Sequence, residues 1–284
     1  MALEAWQFKT SKRSSPIETA FDQSTATVGV HQGGSIQALV VEEISMSDDL
    51  AENEVVVPGV PSEGWSVLHL FYHVAPGIDK QGIVSALKSV AGDGYQVVTA
   101  TLMGHKADMA VMALGLDMFR LRRLQSELQN SGLSLADSYV SLTEVSEYAK
   151  GLPEVRRAPR LYPVLPPSGM RAFCFYPMSK RREVGANWYR LSYSEREEQM
   201  MEHGESGRKF SGRIIQLITG STGLDRYEWG VTLFGQRIDD IKDVVYTLRF
   251  DEVSAVYAEF GPFYVGLVDE PETVLATCLS GSSQ

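Results

Sequence analysis

Residues 65–73, Trp65-Ser-Val-Leu-His-Leu-Phe-Tyr-His73, begin the regular part of this 284-residue chain and decide its fold. Apolar and polar side chains alternate loosely along this stretch, which predicts a β-strand. Residues 80–90 then carry apolar side chains at helical spacing and end at a Gly-Asp-Gly sequence, which predicts a helix. The same reasoning gives an order of β-α-β-β-α-β, with further strands at 97–103 and 109–116, a helix at 117–130 and a strand at 139–145.

A similar order of elements recurs after a Pro-rich connection. The predicted elements are a strand at 171–176, a helix at 194–209, strands at 213–219 and 228–234, helical residues at 238–257 in one or two pieces, and a strand at 262–268. Two such units predict an α+β fold of two ferredoxin-like halves, each an antiparallel sheet with helices on one face. The two sheets either pack face to face or close on each other into a barrel.

The composition before residue 64 differs from that of the rest of the chain. Ser, Thr, Gln, Gly and acidic residues dominate there, which predicts an extension that is mobile or is ordered by partner subunits. The predicted division of the chain is an N-terminal extension at 1–63, an N-terminal half at 64–150, a connecting loop at 151–170, a C-terminal half at 171–270 and a tail at 271–284.

The overall composition narrows the function classes. A formal net charge of −10 argues against general binding of nucleic acid, which favours a basic face. Cys174 and Cys278 are not spaced like a disulfide framework or a zinc site. No apolar run approaches the 18 residues of a membrane-spanning helix, and the N-terminus has no signal-peptide pattern. We therefore expect a soluble, cytoplasmic protein.

The sign of the charge reverses locally between Tyr148 and Arg182. Glu154 is the only acidic residue in that segment, against eight basic ones: Lys150, Arg156, Arg157, Arg160, Arg171, Lys180, Arg181 and Arg182. The cluster is either a solvated or subunit-facing surface, or a funnel for a polyanionic ligand. Guanidinium groups suit carboxylates, and no glycine-rich phosphate loop accompanies the cluster. The second interpretation therefore favours a ligand that carries carboxylates.

Three further residues indicate redox chemistry in the same region. Tyr176 lies in Tyr176-Pro-Met-Ser-Lys180, and its phenol is able to exchange one electron. His203 follows Met200 on one face of a predicted helix, and a single histidine on a helix is sufficient to ligate haem iron. Gln216 is a polar amide inside the apolar strand 213–219. Each of these three residues, and Lys180 as well, also has a structural interpretation: His203 as a core histidine, Tyr176 at the end of a strand that Pro177 stops, Lys180 as a solvated loop charge and Gln216 as a solvent-facing side chain.

Several sequence segments together resemble one family. They are Tyr176-Pro-Met-Ser-Lys180, Asn187-Trp-Tyr189, the helix with His203-Gly204 and Gly207-Arg208, Gly220-Ser-Thr-Gly-Leu-Asp225, Glu228-Trp-Gly-Val-Thr-Leu-Phe234 and Leu248-Arg-Phe-Asp-Glu-Val-Ser-Ala255. In this order the set resembles the haem-dependent coproheme decarboxylases of the chlorite-dismutase-like superfamily. The resemblance in fold covers about residues 65–270.

The resemblance implies both an architecture and a reaction. The expected assembly is a ring-shaped homopentamer of chains whose two halves close a β-barrel, with a porphyrin held in the C-terminal half. The expected reaction uses hydrogen peroxide to decarboxylate two propionates of iron coproporphyrin III (coproheme), which leaves the two vinyl groups of haem b. Coproheme is then both substrate and cofactor, haem b is the product, and a ferrochelatase is an expected transient partner.

The resemblance also implies residue roles. His203 matches the iron ligand, Tyr176 the tyrosine whose radical acts on the propionate, and Lys180 the lysine beside a reacting propionate. The remaining matches are the propionate-anchoring positions Arg160, Arg249 and Ser254, and the distal-pocket positions Met178 and Gln216.

Two other functions stay open at this point. A chlorite dismutase has the same fold but needs a distal arginine, where this chain has Gln216; Arg213 faces the other side of the strand by alternation. A haem carrier or sensor would keep His203 and the basic anchors but would not need Tyr176 with Lys180. A decarboxylase with a distal histidine is excluded, because no histidine lies between His105 and His203.

Overall fold

The computed structural model describes residues 56–280. Most of the predicted extension, residues 1–55, and the last residues of the predicted tail, 281–284, lie outside the described residues. Within the described part of the chain, no helix combines the length and the apolar character needed to cross a membrane.

The N-terminal half follows the predicted order of elements. Asp79 and Asp117 are the N-cap residues of its two helices. Each carboxylate accepts a hydrogen bond from a first-turn backbone N–H, at 2.9 and 2.8 Å. The elements are β1 (Ser66–His73), α1 (Lys80–Val90), β2 (Gln96–Leu102), β3 (Met109–Gly115), α2 (Met118–Asn130) and β4 (Ser134–Thr143).

The connection and the C-terminal half contain more elements than the pattern predicts. The Pro-rich connection includes a helix, and the stretch at 238–257 is two helices followed by a short strand. The elements are α3 (Glu154–Leu161), β5 (Ala172–Lys180), β6 (Arg182–Glu183), β7 (Ala186–Asn187), α4 (Tyr193–Arg208), β8 (Ile214–Gly220), β9 (Trp229–Gly235), α5 (Ile238–Leu248), α6 (Glu252–Ala255), β10 (Ala258–Phe260), β11 (Tyr264–Val268) and α7 (Pro271–Leu279).

The large sheet is antiparallel throughout and closes on itself. Its strand order is β10-β5-β11-β2-β3-β1-β4-β8-β9, and β9 pairs again with β5. The two halves are joined by few paired residues at this seam: β4 pairs with β8 only at Leu142–Gly220 and Thr143–Thr219. The predicted α+β class with an antiparallel sheet is confirmed.

Strand alternation divides the apolar core into layers. Phe71 and Phe175 belong to the cluster inside the barrel. Leu121 belongs to the cluster beneath the N-terminal helices. Tyr176 and Val244 belong to the cluster between the C-terminal strands and their helices. Neighbouring residues of β5 therefore point to opposite faces, and the face of Tyr176 is the one that the helices cover.

The prediction that Pro177 ends the fifth strand at Tyr176 is wrong. Strand β5 continues to Lys180, and Pro177 lies opposite the break between β11, which pairs up to Phe175, and β10, which pairs from Met178. Its carbonyl accepts the Gly261 N–H at 2.8 Å. The N–H that proline lacks would point to the same side, where no strand needs it. Lys180 is consequently a buried strand residue, and the loop interpretation of Lys180 is also wrong.

Candidate active site

Four of the predicted site residues lie in the layer between the C-terminal strands and helices α4, α5 and α6: Tyr176, Met178, Lys180 and His203. Tyr176, Met178 and Lys180 occupy every second position of β5 and therefore lie on one face of the strand. Gln216 on β8 is in register with Leu233, whose side chain belongs to the cluster beneath the same helices. Gln216 is exposed on this face, so it is neither in the barrel core nor packed under a helix. Helix α4 contributes His203.

His203 is oriented by a buried carboxylate. Its Nδ1–H donates to Oδ2 of Asp251 at 3.0 Å, and the other carboxylate oxygen accepts the Ser206 hydroxyl at 2.8 Å. Burial lowers the pKa of His203; the Asp251 charge opposes this shift and the Lys180 charge adds to it. The arrangement favours a neutral imidazole with its ring fixed, and among the described residues none hydrogen-bonds Nε2, the nitrogen that would ligate a metal.

Tyr176 is a neutral phenol in an aromatic environment. Its ring stacks on Phe263 at a centroid distance of 4.5 Å and meets Phe260 edge-on at 5.7 Å. Burial raises the pKa of Tyr176 above its ordinary value, and the nearby Arg249 charge opposes that shift. None of the described residues hydrogen-bonds to its hydroxyl group. The phenol therefore keeps its proton and is able to release it together with an electron.

Lys180 is a buried ammonium at the end of the same strand. Its Nζ donates to the carbonyl of Val253 at 3.2 Å and lies 4.6 Å from the centroid of the Trp188 ring. Burial lowers the pKa of Lys180 to about 8, and the Glu228 charge opposes this shift. The ammonium is therefore still charged at neutral pH and offers a carboxylate a partly desolvated cation.

Arg249 and Ser254, two of the expected propionate anchors, lie beside this layer. Arg249 is exposed directly after α5, and its guanidinium group is 5.1 Å from the Phe260 ring. Ser254 is half-buried on α6, and its N–H donates to the carbonyl of Asp251. An apolar cavity of about 390 Å³ lies next to them, lined by Cys174, Val245, Phe263 and Arg249 among others.

The basic segment is not one cluster. Arg171 pairs with Asp269 at the start of β5, roughly 30 Å along the strand from Lys180 at about 3.3 Å per residue. Arg157 pairs with Glu63 at 3.1 Å. Arg160 is exposed on α3, and within the described residues its guanidinium contacts only the carbonyl of Arg156. Of the basic residues in this segment, the fold brings Lys180 into the layer with His203.

Residue patterns missed three side chains of this layer. Asp251 lies 48 positions from His203, and Phe263 lies in a predicted strand without any polar signal. Glu228 begins one of the segments that carry the family resemblance, but its sequence position does not reveal that it is buried against β5. An acid that is buried needs a partner, so burial, which the structure supplies, is the signal that identifies both carboxylates.

Comparison with known proteins places the chain in a family. Residues 79–268 match the family model described as chlorite dismutase. A protein named coproheme decarboxylase from Staphylococcus carnosus (strain TM300) is 42% identical over 241 residues, a match that covers 75% of this chain and 94% of that protein.

Solved structures agree with this placement. One described as a novel heme-binding protein from Thermus thermophilus is 36% identical, with a TM-score of 0.69 over 76% of this chain and 95% of that one. A mutant chlorite dismutase from Candidatus Nitrospira defluvii, 17% identical, has a TM-score of 0.62 over 77% of this chain and 97% of the other, which shows the fold alone. The chain belongs to the chlorite dismutase family.

Proposed function

We propose that this protein is a coproheme decarboxylase. It uses hydrogen peroxide to convert two propionates of iron coproporphyrin III into the vinyl groups of haem b, with loss of carbon dioxide. The observation that carries the proposal is the shared layer of a buried phenol that none of the described residues hydrogen-bonds (Tyr176), a buried ammonium (Lys180) and a carboxylate-oriented imidazole (His203). The relative from Staphylococcus carnosus, which bears the name of this activity, supports it.

The residues present fit an iron porphyrin with four carboxylate arms. His203 has one ring nitrogen committed to Asp251, so the other would hold the iron. Ile218 is 43% exposed on the same sheet face as Gln216, and both would line the macrocycle, with Met178 nearby. Carboxylates that lose water need charged donors, which Lys180, Arg249 and Ser254 would provide. Arg160 is a further candidate anchor.

Peroxide and the bound iron porphyrin supply the oxidising power, and the protein directs it. Tyr176 would pass one electron and its proton to the peroxide-derived oxidant, and the resulting tyrosyl radical would take a hydrogen atom from the propionate side chain, which restores the phenol. Loss of a second electron from the propionate side chain to the same oxidant would allow the carboxylate to leave as carbon dioxide and the carbon–carbon double bond to form. Because hydrogen peroxide accepts two electrons, each propionate consumes one peroxide.

Lys180 and the aromatic side chains define how the propionate meets the phenol. The ammonium would hold a carboxylate at one end of β5, on the face that also presents Tyr176. Phe260 and Phe263 exclude water from the tyrosine ring. Exclusion of water would protect the tyrosyl radical from reaction with solvent until it meets the propionate.

A chlorite dismutase activity is disfavoured by the position of Arg213. That residue precedes β8, and its guanidinium forms a 2.6 Å ion pair with the buried carboxylate of Asp240. It is therefore committed to α5, while Gln216 occupies the position that matches the distal arginine. A haem carrier or sensor is the second candidate function, because it would use the same imidazole and anchors.

Peroxide addition to the coproheme-loaded protein separates the enzyme from a carrier. Stepwise addition of hydrogen peroxide, followed by mass spectrometry of the extracted porphyrin, is expected to show loss of first one and then two carboxyl groups. Heat-denatured protein loaded with the same coproheme is the control for chemistry that the fold does not direct. Intact or merely bleached coproheme in the native sample would contradict the decarboxylase proposal and favour the carrier.

The resemblance supports further proposals about organisation. We propose that residues 64–150 and 171–270 are the two ferredoxin-like halves and that the chain assembles as a ring-shaped homopentamer. A cytoplasmic location and transient contact with a ferrochelatase that supplies coproheme stay predictions. Size-exclusion chromatography with light scattering tests the number of subunits.

A further inference from the structure

Glu228, the residue before β9, is a buried carboxylate at the edge of the site. Its side chain is 9% exposed, and Oε1 lies 3.7 Å from the Arg182 guanidinium. Oε2 accepts the backbone N–H of Lys180 at 2.8 Å. Burial raises the pKa of Tyr189, and the nearby Glu228 carboxylate raises that pKa further. A carboxylate away from water needs such partners, and most of them surround the end of β5.

The backbone of Glu228 is attached to the same strand end. Its N–H donates to the carbonyl of Met178 at 3.1 Å and approaches the Ser179 hydroxyl at 3.2 Å. The main chain and the side chain of Glu228 therefore both bind residues 178–180. These bonds hold the side of the strand end that faces β9, because β9 is in register with β5 only as far as Met178, while β10 pairs with the other side through Ala258 and Lys180.

The ammonium of Lys180 lies beyond ion-pair distance of this carboxylate. Its hydrogen-bond partner is the carbonyl of Val253, and none of the described carboxylates lies within ion-pair distance of Nζ. Burial lowers its pKa to about 8, and the Glu228 charge opposes that shift. The other charged or titratable groups around it are Arg182 on β6, Tyr189 after β7, His203 on α4 and Asp251 before α6. Glu228 thus stabilises the charge without occupying the ammonium donors.

We infer that Glu228 is the positioning residue for Lys180: it fixes the strand end from which the ammonium projects, and it balances the ammonium charge while leaving its donors free for a substrate carboxylate. The inference rests on the proposed role of Lys180 toward a propionate. Since Glu228 does not contact the reacting group itself, its effect on the reaction passes through Lys180.

The test follows the reactivity of the Lys180 amine in the full-length, coproheme-free protein. Brief acetylation with acetic anhydride across a pH series, read by mass spectrometry of the peptide that contains Lys180, gives the pH at which the amine loses its proton. In Glu228→Gln this midpoint is expected to move to lower pH, because the balancing charge is gone, so labelling at pH 7 rises several-fold. Glu228→Asp keeps the charge and is expected to restore most of the wild-type profile.

Glu259→Gln is the matched control, since it removes the same charge from an exposed site whose neighbour in register is Ser179. Screening by water and salt predicts an unchanged Lys180 midpoint for this variant. An unchanged midpoint in Glu228→Gln, or an equal shift in Glu259→Gln, overturns the inference.

A second measurement covers the case in which Glu228→Gln unfolds under the labelling conditions. Melting temperatures of Glu228→Gln, Lys180→Met and the double variant are compared with the wild type. If Glu228 and Lys180 are coupled, Glu228→Gln should lower the melting temperature less in the Lys180→Met background than in the wild type. Equal decreases in both backgrounds overturn the inference. Both measurements are made without coproheme, so they hold or fail separately from the proposed decarboxylation.

Discussion

Tyr176→Phe is expected to abolish decarboxylation while coproheme binding stays at the wild-type level. The substitution removes only a hydroxyl group that has no hydrogen-bond partner among the described residues, so it leaves no other buried group unsatisfied. The ring contacts with Phe260 and Phe263 are kept. A phenyl ring has no proton to release with its electron and cannot relay oxidation to the propionate. Product formation after peroxide addition should fall below detection.

Tyr264→Phe is the matched control for this variant. Tyr264 lies on β11 in register with Phe175, and its ring stacks on Phe71 inside the barrel, on the other face of the sheet. The substitution removes a hydroxyl that donates to Asp137 from a buried tyrosine outside the site layer, and decarboxylation should continue. Product formed by Tyr176→Phe at the wild-type rate would remove the tyrosine from its proposed role. Loss of activity in both variants would show a general effect of altering buried tyrosines.

His203→Ala is expected to remove the axial ligand and with it the wild-type spectrum of the bound iron porphyrin. The porphyrin should still associate through its carboxylates, because Lys180 and Arg249 are untouched, but more weakly. Absorption and resonance Raman spectra of the ferric complex report the ligation, and a titration of the apo-protein reports the affinity. Addition of imidazole should restore a nitrogen-ligated spectrum, since the substitution leaves space for the free ligand.

Asp251→Asn gives the graded counterpart of this experiment. It keeps the size of the side chain but removes the charge that orients His203, so iron binding should weaken by about 10- to 100-fold, as is usual for partners of metal ligands. The spectrum should remain that of a histidine ligand. A wild-type spectrum in His203→Ala without added imidazole would contradict the assignment of His203 as the ligand.

The order of the helices and strands was predictable because their signals are local. Apolar spacing in 80–90 and in 117–130 identifies helices whose ends the structure places at or within one residue of the prediction. Pro177 misled the prediction because the effect of a proline depends on what lies beside its missing N–H. That neighbour is the break between β10 and β11, far along the chain, so no local pattern contains it.

The candidate site was predictable as a set of residue types but not as an arrangement. Tyr176, Lys180 and His203 follow from sequence segments that resemble a family, and the fold brings all three to one layer. Asp251 and Glu228 act through contacts 45 to 48 positions apart, which spacing does not encode. The basic segment between Tyr148 and Arg182 suggested one funnel, yet Arg171 and Arg157 are paired with acids elsewhere. Ion pairs between distant segments decide which charges remain available.

A crystal structure of the complex with ferric coproheme, prepared without peroxide, would show whether His203, Tyr176 and Lys180 surround the porphyrin as proposed. We expect iron bound to Nε2 of His203 and a propionate lying between the Tyr176 hydroxyl and the Lys180 ammonium. A macrocycle whose iron is bound by another residue, or whose propionates all point away from Tyr176, would contradict it.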